Sequence, residues 1–109
     1  MRLRKTAGIP QLKSAEPELL VVRHIATRRG DAERGPKIWL HPDDARVRLL
    51  VDGELAWVRG QRGQQLATVA IDETVDRYTC VLRDIVGISA TENVRVDKPD
   101  LDSPKRTLA

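Results

Sequence analysis

Four arginines stand beside glycines at polar turns: Arg28 and Arg29 precede Gly30, and Arg59 and Arg62 flank Gly60. A guanidinium group presents N–H donors in a planar fork that fits a carboxylate or a phosphate, so these four mark candidate contact sites for an anionic partner. Asp31 and Glu33 follow the first pair closely enough to offset part of its charge. The other residues with chemical capacity are worse placed. His24, His41, Cys80 and the Asp43/Asp44 pair hold the atoms of a metal site, but no two of them sit at a ligand-like spacing, so no metal ligand is assigned. Cys80 falls in an apolar run with no histidine or helix start beside it to make a thiolate, which makes it a packing residue. Asp72, Glu73 and Asp76 share one polar corner, whereas an acid and base pair needs two contrasting environments. The run GDAERGPKI (30–38) approaches a phosphate loop, yet Pro36 removes a backbone N–H and neither Ser nor Thr follows Lys37. No catalytic constellation emerges, and no cofactor-binding residue can be assigned from spacing.

The net charge of +3 is unevenly distributed. Residues 1–16 hold Arg2, Arg4, Lys5 and Lys13 against Glu16 alone, and that stretch carries the whole excess. The remainder is neutral, which argues against nucleic acid as a partner, as does a total of two Trp, one Tyr and no Phe for base stacking. A single cysteine excludes an internal disulfide, and no apolar run approaches the roughly 18 residues of a membrane span. A cytoplasmic, non-membrane setting is the resulting expectation. The apolar residues are mainly Val, Leu, Ile and Ala, and the branched ones favour strands.

These side chains have to be positioned by short elements. Gly8, Pro10 and Pro17 break the opening stretch, so residues 1–17 read as an unstructured basic leader. LLVVRHIA (19–26) is a nearly continuous apolar run and reads as a buried strand; KIWL (37–40) reads as a second. PDDARVRLL (42–50) suits a short helix, with Pro42 in its first turn and two acids at the positive end of its dipole. Asp52-Gly53 supplies a corner needing positive φ and launches ELAWVRG (54–60), followed by QLATVAI (65–71). An acidic turn leads to YTCVL (78–82), a helical turn RDIVG (83–87), and the last strand NVRV (93–96). Alternation places Trp39 and Trp57 opposite Ile38/Leu40 and Ala56/Val58, outside the core, as edge-packing residues or contact anchors. The domain then spans residues 18–98, with 99–109 as a flexible tail.

The segment IWL–PDDARVRLL–DGELAWV corresponds to CVL–RDIVG–ATENVRV: strand, helical turn, corner, strand. Two such units in one small domain predict a mainly β fold, a six-stranded pseudo-twofold barrel with two short helices, each half covering the open edge of the other. This order resembles a double-psi β-barrel. In detail, Gly53-Glu54 to Gly60, Arg62, the Asp72-Glu73-Thr74 corner and the closing stretch Val94 to Asp100 resemble the first N-terminal subdomain of AAA+ ATPases of the valosin-containing-protein type. HPDDAR followed by DGELAWVRGQRG is equally similar to the molybdopterin-dinucleotide-binding domain of molybdenum oxidoreductases.

The first resemblance implies a non-catalytic binding or adaptor module for a protein partner such as an AAA+ ATPase or its clients, and Arg59, Arg62, Arg28 and Arg29, singled out by their own chemistry, are the expected contacts. The second implies a domain or small subunit that helps hold a molybdopterin cofactor. A nucleic-acid-associated role for the basic arm is the third reading. The expectation from the residues alone is the adaptor, with no cofactor of its own.

Overall fold

The computed structural model describes residues 17–99. The expected leader and tail therefore fall, apart from Pro17 and Pro99, outside the described residues. Six strands, β1 (Leu19–Ile25), β2 (Lys37–Leu40), β3 (Leu55–Arg59), β4 (Gln64–Ile71), β5 (Thr79–Arg83) and β6 (Asn93–Asp97), close into a barrel in the order β1-β5-β2-β4-β3-β6. A single helix among the described residues, α1 (Pro42–Val47), lies between β2 and β3.

The pairing has internal symmetry. β1 runs parallel to β5 and β4 parallel to β2, while β2 opposes β5, β3 opposes β6, β1 opposes β6 and β4 opposes β3. Exchanging β1 with β4, β2 with β5 and β3 with β6 reproduces the same set of pairs, which is the pseudo-twofold relation that the sequence repeat predicts. Each half donates one strand to a parallel pair with the other, so neither half has a closed sheet on its own and no strand is left as a free edge.

Alternation in the strands fills the interior. Each strand sends two side chains inward, one residue apart: Leu19 and Val21, Ile38 and Leu40, Ala56 and Val58, Ala67 and Val69, Cys80 and Leu82, Val94 and Val96, all buried. Each fully buried Leu, Ile or Val among them contributes about 1.5–3 kcal/mol. Ala45 and Leu50 close one end of the core, and Ile85 and Ile88 join it from the β5–β6 connection.

Three expectations change. The first strand is not buried on both faces: register slips between Val21 and Arg23, so Val22 is an extra, exposed residue and Leu20 also faces out. The bulge accounts for a run that reads as continuous in sequence. The first helix stops at Val47, with Arg48 as its cap and Leu49 at φ 60. The second helical turn is a tight non-helical turn. β5 continues through Arg83, then Asp84 takes φ 54 and Gly87 φ 87, which takes the backbone out of the right-handed region twice. The Asp52-Gly53 corner forms as expected, with Gly53 at φ 90 and its N–H donating to the Val69 carbonyl at 2.8 Å.

Candidate functional site

Strands β1, β3 and β5 run one way and β2, β4 and β6 the other. It follows that the connections 26–36, 60–63 and 84–92 gather at one end of the barrel, while α1 and the 72–78 corner lie at the other. All four arginines singled out by sequence belong to the first end or its rim: Arg28 and Arg29 in the β1–β2 connection, Arg62 in the β3–β4 turn, and Arg59 as the last residue of β3. Arg34, in the same connection as Arg28, joins them.

The carboxylates at this end are used to fold the loops. Asp84 accepts from the Thr27 hydroxyl at 2.6 Å, the Thr27 N–H at 2.9 Å and the Gly35 N–H at 2.8 Å, tying both ends of the 26–36 connection to the 84–92 connection. These donors, the Thr27 hydroxyl foremost, hold its carboxyl down at about 2. Glu92 accepts from Ser89 N–H at 3.0 Å and Gln61 N–H at 3.1 Å, joining the 84–92 and 60–63 connections. The Ser89 and Gln61 N–H groups and then the charge of Arg62 keep its carboxyl below the ordinary value. Asp31 accepts from the Arg28 N–H at 2.7 Å, and Glu33 faces Arg83 at 3.7 Å. The glycines of GDAERGPK serve this same folding: Gly35, at φ 101, spends its N–H on Asp84, so the stretch is a connection and no phosphate loop.

The cations divide into two kinds. Arg59 is held in the barrel wall: its Nε donates to Asp97 at 2.7 Å, it donates to Gln64, and its guanidinium lies 5.2 Å from the Trp57 ring centroid. Arg28, Arg29, Arg34 and Arg62 are exposed, and among the described residues their guanidinium groups make no hydrogen bond or ion pair. Asp31, Asp84 and Glu92 are engaged, and four guanidinium groups of this end are open to an anion. Arg34, Asp84 and Glu92 were not legible as part of it, because what unites them is the strand direction and not any spacing in the chain.

The other end is structural. Asp44, fully buried, accepts from the Tyr78 N–H at 2.7 Å and from Arg77 at 3.0 and 3.1 Å, with Arg48 at 3.7 Å. Arg48 also donates to the Asp44 carbonyl at 2.9 Å and to the Pro17 carbonyl. Asp43 instead pairs outward with Arg46, and its N–H donates to Nδ1 of the capping His41 at 2.9 Å. The Asp43/Asp44 pair is thereby divided between a surface ion pair and a buried brace, and neither is a ligand pair. His24 accepts from the Ile85 N–H at 3.2 Å. Cys80 lies inside the barrel, where burial pushes its thiol up to about 12. Among the described residues no three His, Cys, Asp or Glu side chains group as a metal site.

Two grooves cut the outer surface. One, of about 490 Å³, runs over Val22, Arg23, Trp39 and Val81 to the 72–76 corner. The other, of about 360 Å³, opens beside Gly60 and Gln61 at the arginine-bearing end. Trp39 and Trp57 both face outward as alternation predicts, and Lys37 and Arg83 lie 5.1 and 5.5 Å from the Trp39 ring centroid. No helix among the described residues is long and apolar enough to cross a membrane.

Comparison with known proteins places this arrangement. No curated protein matches the sequence. Among solved structures, acetylene hydratase from Pelobacter acetylenicus superimposes with a TM-score of 0.55 at 16% identity, over 89% of this chain and 20% of that one, which establishes the likeness of fold. The chain thus spans about a fifth of that protein's length. The model of the molydopterin dinucleotide binding domain matches residues 21–99. That match overturns the expectation of a protein-recruiting adaptor linked to an AAA+ ATPase. The residues behind that expectation are barrel-building ones, such as the Gly53 corner, the Gly60 turn and the Asp72–Thr74 turn, where Asp72 accepts from the Thr74 N–H and hydroxyl. Any barrel of this topology needs such turns, so they could not choose between the two resemblances. Matched over most of its length, the chain belongs to the molydopterin dinucleotide binding domain family.

Proposed function

We propose that this barrel holds the dinucleotide part of a molybdopterin cofactor, as a domain or small subunit of an oxidoreductase-type molybdoenzyme. The observation that carries the reading is the division of charge at the loop end: Asp84 and Glu92 accept from loop donors, while the guanidinium groups of Arg28, Arg29, Arg34 and Arg62 are exposed and make no hydrogen bond or ion pair among the described residues. The linking phosphates of a dinucleotide are anionic, and guanidinium groups recognise them through paired N–H donors. The residues present therefore fit the group, with Arg28, Arg29, Arg34 and Arg62 as the side chains that would hold the phosphates. The bound cofactor would supply the metal centre and its redox chemistry; the barrel binds and orients. The partner in this reading is the body of the enzyme, on which the other portions of the cofactor rest.

Inorganic pyrophosphate tests the charge logic on the full chain. Titration followed by amide shifts should move signals from the 26–36 and 60–63 connections, and binding should weaken as salt rises. Changing Arg28 or Arg62 to Glu should weaken it by about tenfold or more, since a charge-assisted hydrogen bond contributes about 1.5–3 kcal/mol. Pyrophosphate that binds the variants as well as the parent, or shifts only helix-end signals, refutes the assignment.

A further inference from the structure

The larger groove, of about 490 Å³, is lined by none of the four open loop-end arginines. Its floor is a row drawn from three neighbouring strands: Arg23 of β1 stands opposite Val81 of β5, which stands opposite Trp39 of β2. The slip in register between Val21 and Arg23 leaves two successive side chains, Val22 and Arg23, exposed over this row, as a bulge does. The groove ends against the 72–76 corner. There Asp72 accepts from the Thr74 N–H and hydroxyl at 2.8 and 2.6 Å. The exposed Glu73 and Asp76 carboxylates make no hydrogen bond or ion pair among the described residues. An apolar and aromatic floor that runs into two such acids complements a basic segment with apolar residues of its own.

The chain itself contains that segment. Residues 1–16 hold Arg2, Arg4, Lys5 and Lys13, with Ile9, Pro10 and Leu12 between the basic groups, and they carry the whole charge excess of +3. They join the barrel beside the acidic corner. The Pro17 carbonyl accepts from Arg48, and the Leu20 N–H donates to the Tyr78 carbonyl at 2.9 Å, with Leu20 paired to Thr79. Extended chain covers about 3.3–3.6 Å per residue, so Lys13 lies within about 14 Å of Pro17, and residues 1–12 add about 40 Å of reach. A tether this short makes the encounter intramolecular, at an effective concentration of order mM. We propose that the groove seats residues 1–16 of the same chain, with Ile9, Pro10 and Leu12 over Val22, Val81 and Trp39 and with Lys13 facing Glu73 and Asp76. The contact is independent of the cofactor reading, since it uses no loop-end arginine.

Paramagnetic relaxation enhancement on the full chain tests the contact. A nitroxide attached at Gln11→Cys labels one position, because Cys80 is buried inside the barrel. At low salt the Trp39 indole signal and the Val22, Thr74 and Val81 amide signals should be lost, while those of β3, on the opposite wall of the barrel, should persist. Changing Glu73→Lys together with Asp76→Lys should return the lost signals, because attraction to the basic segment becomes repulsion. Unchanged circular dichroism and melting confirm that this variant is folded. In a mixture of labelled protein at natural abundance with unlabelled, nitrogen-15-enriched protein, the enriched copy should keep all its signals. Broadening that is absent from the groove, that spreads evenly over the barrel or that survives the double substitution overturns the proposal. Broadening in the mixed sample overturns it too, by assigning the groove to a second copy.

Discussion

Asp84 shows how a single side chain prepares the proposed site without touching a ligand. Its carboxylate gathers Thr27 and Gly35, and so sets where the connection carrying Arg28, Arg29 and Arg34 begins and ends. The stabilising form is the anion, because its partners are N–H and O–H donors. The folded-state value, about 2, lies below the ordinary 3.8. Stability from this group is therefore fully present above about pH 4 and is lost as pH falls toward about 2. Carboxyl carbon shifts should show Asp84 titrating near 2, with Thr27 and Gly35 amide signals moving together with it. In Asp84→Asn those amide shifts should lose their acid transition. A midpoint close to 4 would mean that the ties do not hold in solution. Nothing in the sequence flags Asp84: it precedes an apolar pair and reads as the start of a helical turn. Arg59 was legible as a site candidate, but its cross-strand partner Asp97 is set by barrel register.

The elements were legible in proportion to how local their causes are. Strands with strict alternation, such as those around Trp39 and Trp57, followed from period-two patterning, and the Gly53 corner followed from Asp-Gly chemistry. The turn after β5 did not, because it is determined by distant partners: Asp84 bonds to Thr27 and Gly35, and Ile85 to His24. The same holds for the bulge at Val22, which arises from pairing with β5 and not from the apolar run itself. Gly53→Val tests the local argument. No atom lies within 4 Å of the Cβ position, so any cost comes from the φ of 90 and not from a clash. A β-branched residue there should lower stability by about 1–3 kcal/mol, seen as a shifted denaturant midpoint with unchanged slope. An unchanged midpoint would show that the corner relaxes.

At the scale of the whole molecule, a closed barrel separates its two ends chemically. The helix end holds a buried charge, Asp44, braced by Arg48 and Arg77, while the loop end leaves guanidinium groups in water. Fold was legible because a half-repeat implies a twofold closure, but function was not, since turn residues common to the architecture carried both family resemblances. The central claim is that the loop end holds the cofactor's dinucleotide. Its most direct test is to mix the full chain with molybdopterin dinucleotide under anaerobic conditions and separate protein from free cofactor by gel filtration, with pterin fluorescence as the readout. The account predicts fluorescence co-eluting with the protein and lost when Arg28, Arg34 and Arg62 are all changed to Glu in a variant that keeps its circular dichroism spectrum. Equal retention by parent and variant, or none by the parent, would contradict it.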